Sequence, residues 1–360
     1  MRQTNDYEDN SGGLPLIGMA LGVSVFVLLI LLLVVALNRK NPAPNRPVAV
    51  AESSEEESTA EFHLTGGDLV ASDLNFWDMY ASQEETTVQE GTREETEEET
   101  TTEEDLGADG KHVEVTLRDG SSEWVEINSK WKKNTYDFTN LVSKNNLRTY
   151  YSDGKKASYL GINLSRYQTQ VNYEAIKNDG IEFCMIRVGA RGYESGIIQA
   201  DDMFETHIAG AAGAGLDIGL YFYSHAITEA EAVEEAEYLL SRIGSYKINY
   251  PIAFDMEYVD NDSSRIETLT KAEKTKIARA FLNRIEAAGY TGMLYGNKEW
   301  LLKRIDLSQF DDYDIWLSHE ADITDYPYTF SMWQYTRKGE IYGIDGYVDL
   351  NISFIDYSAR

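Results

Sequence analysis

The longest hydrophobic pattern in the chain is an unbroken one. Residues 14–37, LPLIGMALGVSVFVLLILLLVVAL, are 24 positions without a charge, long enough for a helix to cross a hydrocarbon core of roughly 30 Å. A soluble core helix of this length would show a polar face. The run therefore predicts one transmembrane helix behind an N-terminal tail, 1–13. A cleaved signal peptide is the alternative, with VVA at 34–36 as a small-residue site, although the run exceeds a typical signal core. Past it the pattern turns polar. NPAPNRP and SSEEEST open a stalk, 38–110, interrupted by the apolar island DLNFWDMY at 73–80.

From 111 onward apolar and polar residues alternate. HVEVTLRDGSSEWVEI reverses about Asp119-Gly120, and LRTYYSDGKKASYLGI about Asp153-Gly154. Both are hairpin signals, so 111–157 reads as a small β module or an N-terminal β extension. From 158 to 360 short apolar runs alternate with helical patterns. YLGIN, FCMIRVG, DIGLYFYSHA, PIAFDME, TGMLYGN, YDIWLSH, FSMWQYT and GYVDLNIS predict strands. Helices are expected at NYEAIKNDG, MFETHIAGAAGAG, EAEAVEEAEYLLSRIG and KAEKTKIARAFLNRIEAAG, all ending in Gly. Alternating units over about 200 residues predict an α/β fold with a parallel sheet, and this many strands favour a closed, TIM-barrel-like β/α barrel. The last three strands lack helices, so the barrel should be irregular at its end.

Charge changes this picture only locally. The net charge is −29, but residues 84–105 alone hold eleven acids against one base, Arg93. Such a stretch buries too little apolar surface to offset chain entropy and should be a disordered, self-repelling linker. Acidity of this kind argues against nucleic acid as a partner. The single cysteine, Cys184, sits in an apolar run and reads as a core residue. Arg39, Lys40 and Arg46 follow the apolar run, which by the positive-inside rule points the bulk of the chain to the cytoplasm. The chemistry argued next needs the outside, and the two signals conflict.

That chemistry starts at PIAFDMEYV, residues 251–259. Burying an unpartnered carboxylate costs several kcal/mol, yet Asp255 and Glu257 share one strand face, roughly 6.5–7 Å apart. They fall at the C-terminal end of their strand, where β/α barrels carry their active sites. Asp349 takes the matching late position of the last strand, and closure would bring that strand beside the first, which ends at Asn163. Tyr221, Tyr223, Tyr295, Trp316 and Trp333-Gln334-Tyr335 are expected at the same rim. Carboxylates walled by aromatics suit a sugar polymer. A pair of acids can break a glycosidic bond if one is protonated and one charged, and crowding pushes their pKa values apart. The rival readings are helix caps, arginine partners, or a three-acid site for Mg²⁺ or Mn²⁺. No histidine falls in the cluster: His63, His112, His207 and His319 are scattered, and His225 reads as a rim or packing residue. The hydrolytic route needs no cofactor and no metal.

Residues 159–354 resemble glycoside hydrolase family 25, the lysozyme-like N-acetylmuramidases. GINLSRYQ is similar to the family's opening G-I-D-V-S-x-x-Q, FCMIRVGARGY to its second strand, and YPIAFDME to its central D-x-E. FSMWQYTRKGEIYGIDGYVDLNIS is similar to its W-Q-Y … G-I-x-G-x-V-D-x-N ending. The resemblance implies a flattened β/α barrel that hydrolyses the β-1,4 bond between N-acetylmuramic acid and N-acetylglucosamine in peptidoglycan. It implies Glu257 as general acid, Asp255 as the carboxylate that stabilises positive charge or steers the substrate's N-acetyl group, and Asp349 as a supporting acid. Asn163, Tyr221, Tyr223, Tyr295, Trp316, Trp333 and Gln334 would then bind substrate. The route is either substrate-assisted or an inverting attack by water. Asn163 departs from the family's Asp. Losing that charge should lower the pKa of neighbouring acids and move the pH optimum down; the alternatives are a peptidoglycan-binding pseudoenzyme and a purely structural module. The expected whole is a single-pass, membrane-anchored muramidase with its barrel outside the cell, or a cleaved, secreted form of it.

Overall fold

The computed structural model describes residues 106–107, 109–259 and 263–360. The apolar run 14–37 and almost all of the stalk lie outside them. Among the described residues no helix is long and apolar enough to cross a membrane.

The described chain opens with a hairpin, β1 (His112–Thr116) and β2 (Ser122–Glu126), then a three-stranded sheet of β3 (Leu141–Lys144), β4 (Leu147–Ser152) and β5 (Lys155–Lys156). The turn at Gly120 has φ 82°, and Asp153 and Gly154 have φ 50° and 73°. A further hairpin, between β3 and β4, turns at Asn145 and Asn146, with φ 51° and 64°. Asn tolerates this left-handed region better than other non-glycine residues, but no Gly marks the place in the sequence.

Next come β6 (Tyr159–Leu164), β7 (Phe183–Arg191), a short β8 (Ile198–Ala200) folded back on β7, and β9 (Asp217–Tyr223). The remaining strands are β10 (Ile252–Asp255), β11 (Gly292–Asn297), β12 (Asp314–Ser318), β13 (Met332–Gly339) and β14 (Val348–Ser353). Eight of them close a barrel in the order β6-β7-β9-β10-β11-β12-β13-β14, with β14 paired back to β6. The sheet is parallel from β6 to β13. β14, however, runs antiparallel to both neighbours. Asp349 is therefore the second residue of its strand rather than a late one, and the reversal is what carries it to the rim where the parallel strands end.

Four helices, α1 (Tyr173–Asn178), α2 (Phe204–Ala214), α3 (Glu229–Arg242) and α4 (Lys271–Ala287), lie between the earlier strands. Helix α4 shows why: Thr270 and Glu273 form a capping box, and Ile277, Ala278, Phe281, Leu282 and Ile285 repeat at three- and four-residue spacing along its buried face. After α4 no α-helix occurs among the described residues; a π-helical turn (Trp300–Arg304) and a 3₁₀ turn (Leu307–Gln309) join β11 to β12.

Segment 111–157 covers the flank that helices leave bare. Tyr136 stacks on Phe354 with ring centres 4.0 Å apart, Trp131 meets Tyr328 at 4.9 Å, and Phe138 meets Trp333 at 5.9 Å. Inside the barrel a second cluster of Phe183, Met185, Tyr221, Tyr250, Met293 and Trp316 fills the axis. Gly161 permits that filling, because a Cβ there would collide with the Phe183 ring.

Candidate active site

Strand parity decides what faces the barrel mouth. On β10, Ile252 and Phe254 pack outward while Ala253 packs inward; Asp255 follows Ala253 by two and is 3% exposed. Its register neighbours are Tyr223 on one side and Tyr295 on the other. Asp255 Oδ1 is buried with no hydrogen-bond partner. Burial, and then the negative charges of Glu257 and Asp349, push its carboxyl well above the usual carboxylate range, against the pull of the Arg187 guanidinium. Glu257, half-buried just beyond the strand, is also felt by Tyr295 and Arg337. Asp255 and Glu257 thus sit in one electrostatic cluster with Asp349, although the strand ends at Asp255 and Glu257 lies beyond it.

The Asn163 side chain is the centre of a buried amide network. Its Nδ2 donates to Asp349 Oδ2 at 2.9 Å and to Gln334 Oε1 at 3.3 Å. Asn351 Nδ2 donates to Asn163 Oδ1 at 2.9 Å, and Trp316 Nε1 donates to Asn351 Oδ1 at 2.9 Å. Burial pushes the Asp349 carboxyl up to about 6, with Arg337 and the Asn163 amide opposing the shift. The amide therefore does for Asp349 what a second carboxylate could not: it stabilises the charged form.

The aromatic expectations divide. Tyr221, Tyr223 and Tyr295 lie on inward positions of β9 and β11, and Gln334 is inward on β13. Trp316 is inward too, but 1% exposed and tied to Asn351, with Tyr221 and Tyr295 packed edge-on against its ring. Trp333 is a correction. Adjacent residues of a strand face opposite ways, so with Gln334 inward, Trp333 and Tyr335 point outward. Trp333 is fully buried between the barrel and segment 111–157, its Nε1 donating to His319 O and the Arg148 guanidinium 4.7 Å over its ring. It offers no face to a ligand at the mouth.

Three residues at the mouth went unread in the sequence. Arg187 Nε donates to Asp201 Oδ2 at 2.7 Å, with Tyr167 beside its guanidinium at 5.3 Å. Arg337 pairs with Glu320 at 2.6 Å and bears on Asp349. Asn351 closes the amide network. Arg187 left a signal, the one polar residue in the apolar run FCMIRV, and Asn351 another, since Asp349, Asn351 and Ser353 put polar residues at every second position of β14. Among the described residues no group of three His, Cys, Asp or Glu side chains is arranged to hold a metal ion.

No curated protein sequence matches the chain. Among solved structures it is similar to the modular autolysin LytC of Streptococcus pneumoniae (20% identity, TM-score 0.49, 67% of this chain and 56% of that one). LytC has also been solved with a synthetic peptidoglycan ligand. Similar too are the spore cortex lytic enzyme SleM of Clostridium perfringens (20%, 0.49, 56% and 69%) and a family 25 glycosyl hydrolase of Bacillus anthracis (18%, 0.48, 58% and 93%). This chain spans little more than half the length of LytC. Residues 162–344, just over half of the 360, match the profile of glycosyl hydrolases family 25. With that match laid over a barrel whose mouth gathers Asp255, Glu257 and Asp349, the chain belongs to glycosyl hydrolases family 25.

Proposed function

We propose that the chain is a muramidase that hydrolyses the β-1,4 bond between N-acetylmuramic acid and N-acetylglucosamine in peptidoglycan. One observation carries the reading: Asp255 is buried beside Glu257, and burial and its neighbours' negative charge raise its carboxyl well above the usual carboxylate range. Like charges this close disfavour ionising both carboxyls at once. In the reactive form the proton is on Glu257, the less buried of the two, which gives it to the glycosidic oxygen as the C1–O bond breaks. Asp255, ionised, faces the positive charge that grows at C1. Asp255 then stabilises that centre or holds the substrate's N-acetyl group against it, and water completes the hydrolysis. Tyr221, Tyr223 and Tyr295 wall the site, and Asn163 and Gln334 present Asp349 to it. Glu257→Gln removes the transferable proton. Its kcat should fall about 10³-fold with KM near wild type, measured as new reducing ends from purified peptidoglycan; an undiminished kcat would reject the role.

The membrane anchor at 14–37 belongs to the same proposal. The stalk it supports is long enough in extended form to reach well over ~100 Å. Membrane fractions should retain the protein, and protease added to wall-stripped intact cells should remove the barrel. A barrel protected from protease would place it on the other side, as the basic residues after the run suggest.

A further inference from the structure

The sheet ladder that fixes Asp255 ends there: β10 pairs with β9 and β11 through Asp255 and no further. Glu257, two residues on, lies beyond that ladder, and the first hairpin of the described chain reaches the next two residues. Arg118 sits in the turn between β1 and β2. Its Nη1 donates to Val259 O at 3.2 Å and to Glu267 Oε1 at 2.7 Å, and its guanidinium lies 4.8 Å over the Tyr258 ring. Its backbone N–H donates to Glu299 Oε2 at 2.9 Å, and the other oxygen of the Glu299 carboxylate accepts from Arg304 at 2.8 Å. Tyr258 is gripped from the barrel side as well, by Lys274 Nζ donating to its hydroxyl at 2.9 Å and by Trp300 at 5.2 Å. The hairpin is also paired to the barrel through Lys303 and Glu123, away from Tyr258 and Val259.

From this geometry we infer that Arg118 is a positioning residue for the glycosidase reaction: the β1–β2 hairpin, outside the family span 162–344, clamps Tyr258 and Val259 and so aims Glu257. The inference rests on Glu257 being the acid. A bidentate planar cation suits the task, since one guanidinium can bind a carbonyl, a carboxylate and a ring face together. An ammonium has neither the reach nor the plane. Small displacements of a proton donor are costly in rate and cheap in binding.

The test compares the full chain with Arg118→Ala, Arg118→Lys, Glu267→Gln and Lys303→Ala, reading kcat, KM and amide hydrogen exchange over 256–259. Arg118→Ala should lose about tenfold in kcat, keep KM within about twofold, and exchange faster at 256–259. Arg118→Lys should recover part of kcat. Glu267→Gln, which loosens the guanidinium without removing it, should show a smaller loss in the same direction and serves if Arg118→Ala does not fold. Lys303→Ala should leave kcat and exchange unchanged. Wild-type exchange and kcat in Arg118→Ala would overturn the inference, as would an equal loss in Lys303→Ala, which would mean a dislodged hairpin rather than a clamp. A wild-type chain that releases no sugar ends would remove the muramidase reading, and the exchange comparison would still decide the clamp.

Discussion

At Asn163 a single atom type separates this chain from the usual pattern of its family, and the surroundings show what the exchange does. The amide donates to Asp349, so Asp349 loses a like charge and gains a hydrogen bond; both favour its ionised form. Asn163→Asp would reverse both. Asp349 should then titrate above its present value of about 6, and if Asp349 must be charged for turnover, the acid limb of the pH–rate profile moves to higher pH. An unmoved acid limb would show that Asp349 takes no part in it. The acids were legible because a period of two in an apolar strand leaves few reasons for Asp255 and Glu257. Arg187 carried the same signal within FCMIRV but was hidden by the hydrophobic average of its run.

At the scale of the element, direction and parity explain the two readings that changed. Hydrophobic pattern marks a strand without saying which way it runs. GYVDLNIS therefore gave no hint that β14 is antiparallel, and the rim position of Asp349 comes from that reversal. Parity was available for Trp333: two neighbours and a third, W-Q-Y, cannot all face one way. What the sequence could not supply was the partner on the outer face, since Phe138 and Arg148 lie far away in the chain. Trp333→Phe should accordingly cost stability, about 1–2 kcal/mol from the lost hydrogen bond and volume, with KM unchanged in the folded variant. A KM raised severalfold at unchanged melting temperature would return Trp333 to the substrate. The Asn145-Asn146 hairpin escaped for a related reason, because its turn is built without glycine.

Over the whole molecule the site is held at a cost to stability. Asp349 has a folded-state pKa of about 6, above the ordinary unfolded value of about 3.9. Between those values the folded chain binds more protons than the unfolded one, so this group's contribution is full below about pH 4 and is lost as pH rises through about 6. Asp349→Asn should therefore raise stability at pH 7 by up to ~3 kcal/mol and leave it unchanged at pH 4, by denaturant titration; equal stability at both pH values would remove the strain ascribed to this carboxyl. Segment 111–157 is part of the same economy of form, closing over Trp333 and Phe354 where the barrel has no helix and reaching through Arg118 to the loop of the acid. The most direct test of the account is digestion of purified peptidoglycan by the full chain and by Glu257→Gln, with the new sugar ends identified by mass spectrometry. The account expects reducing N-acetylmuramic acid ends from wild type and almost none from the variant. N-acetylglucosamine ends, or equal release by both, would contradict it.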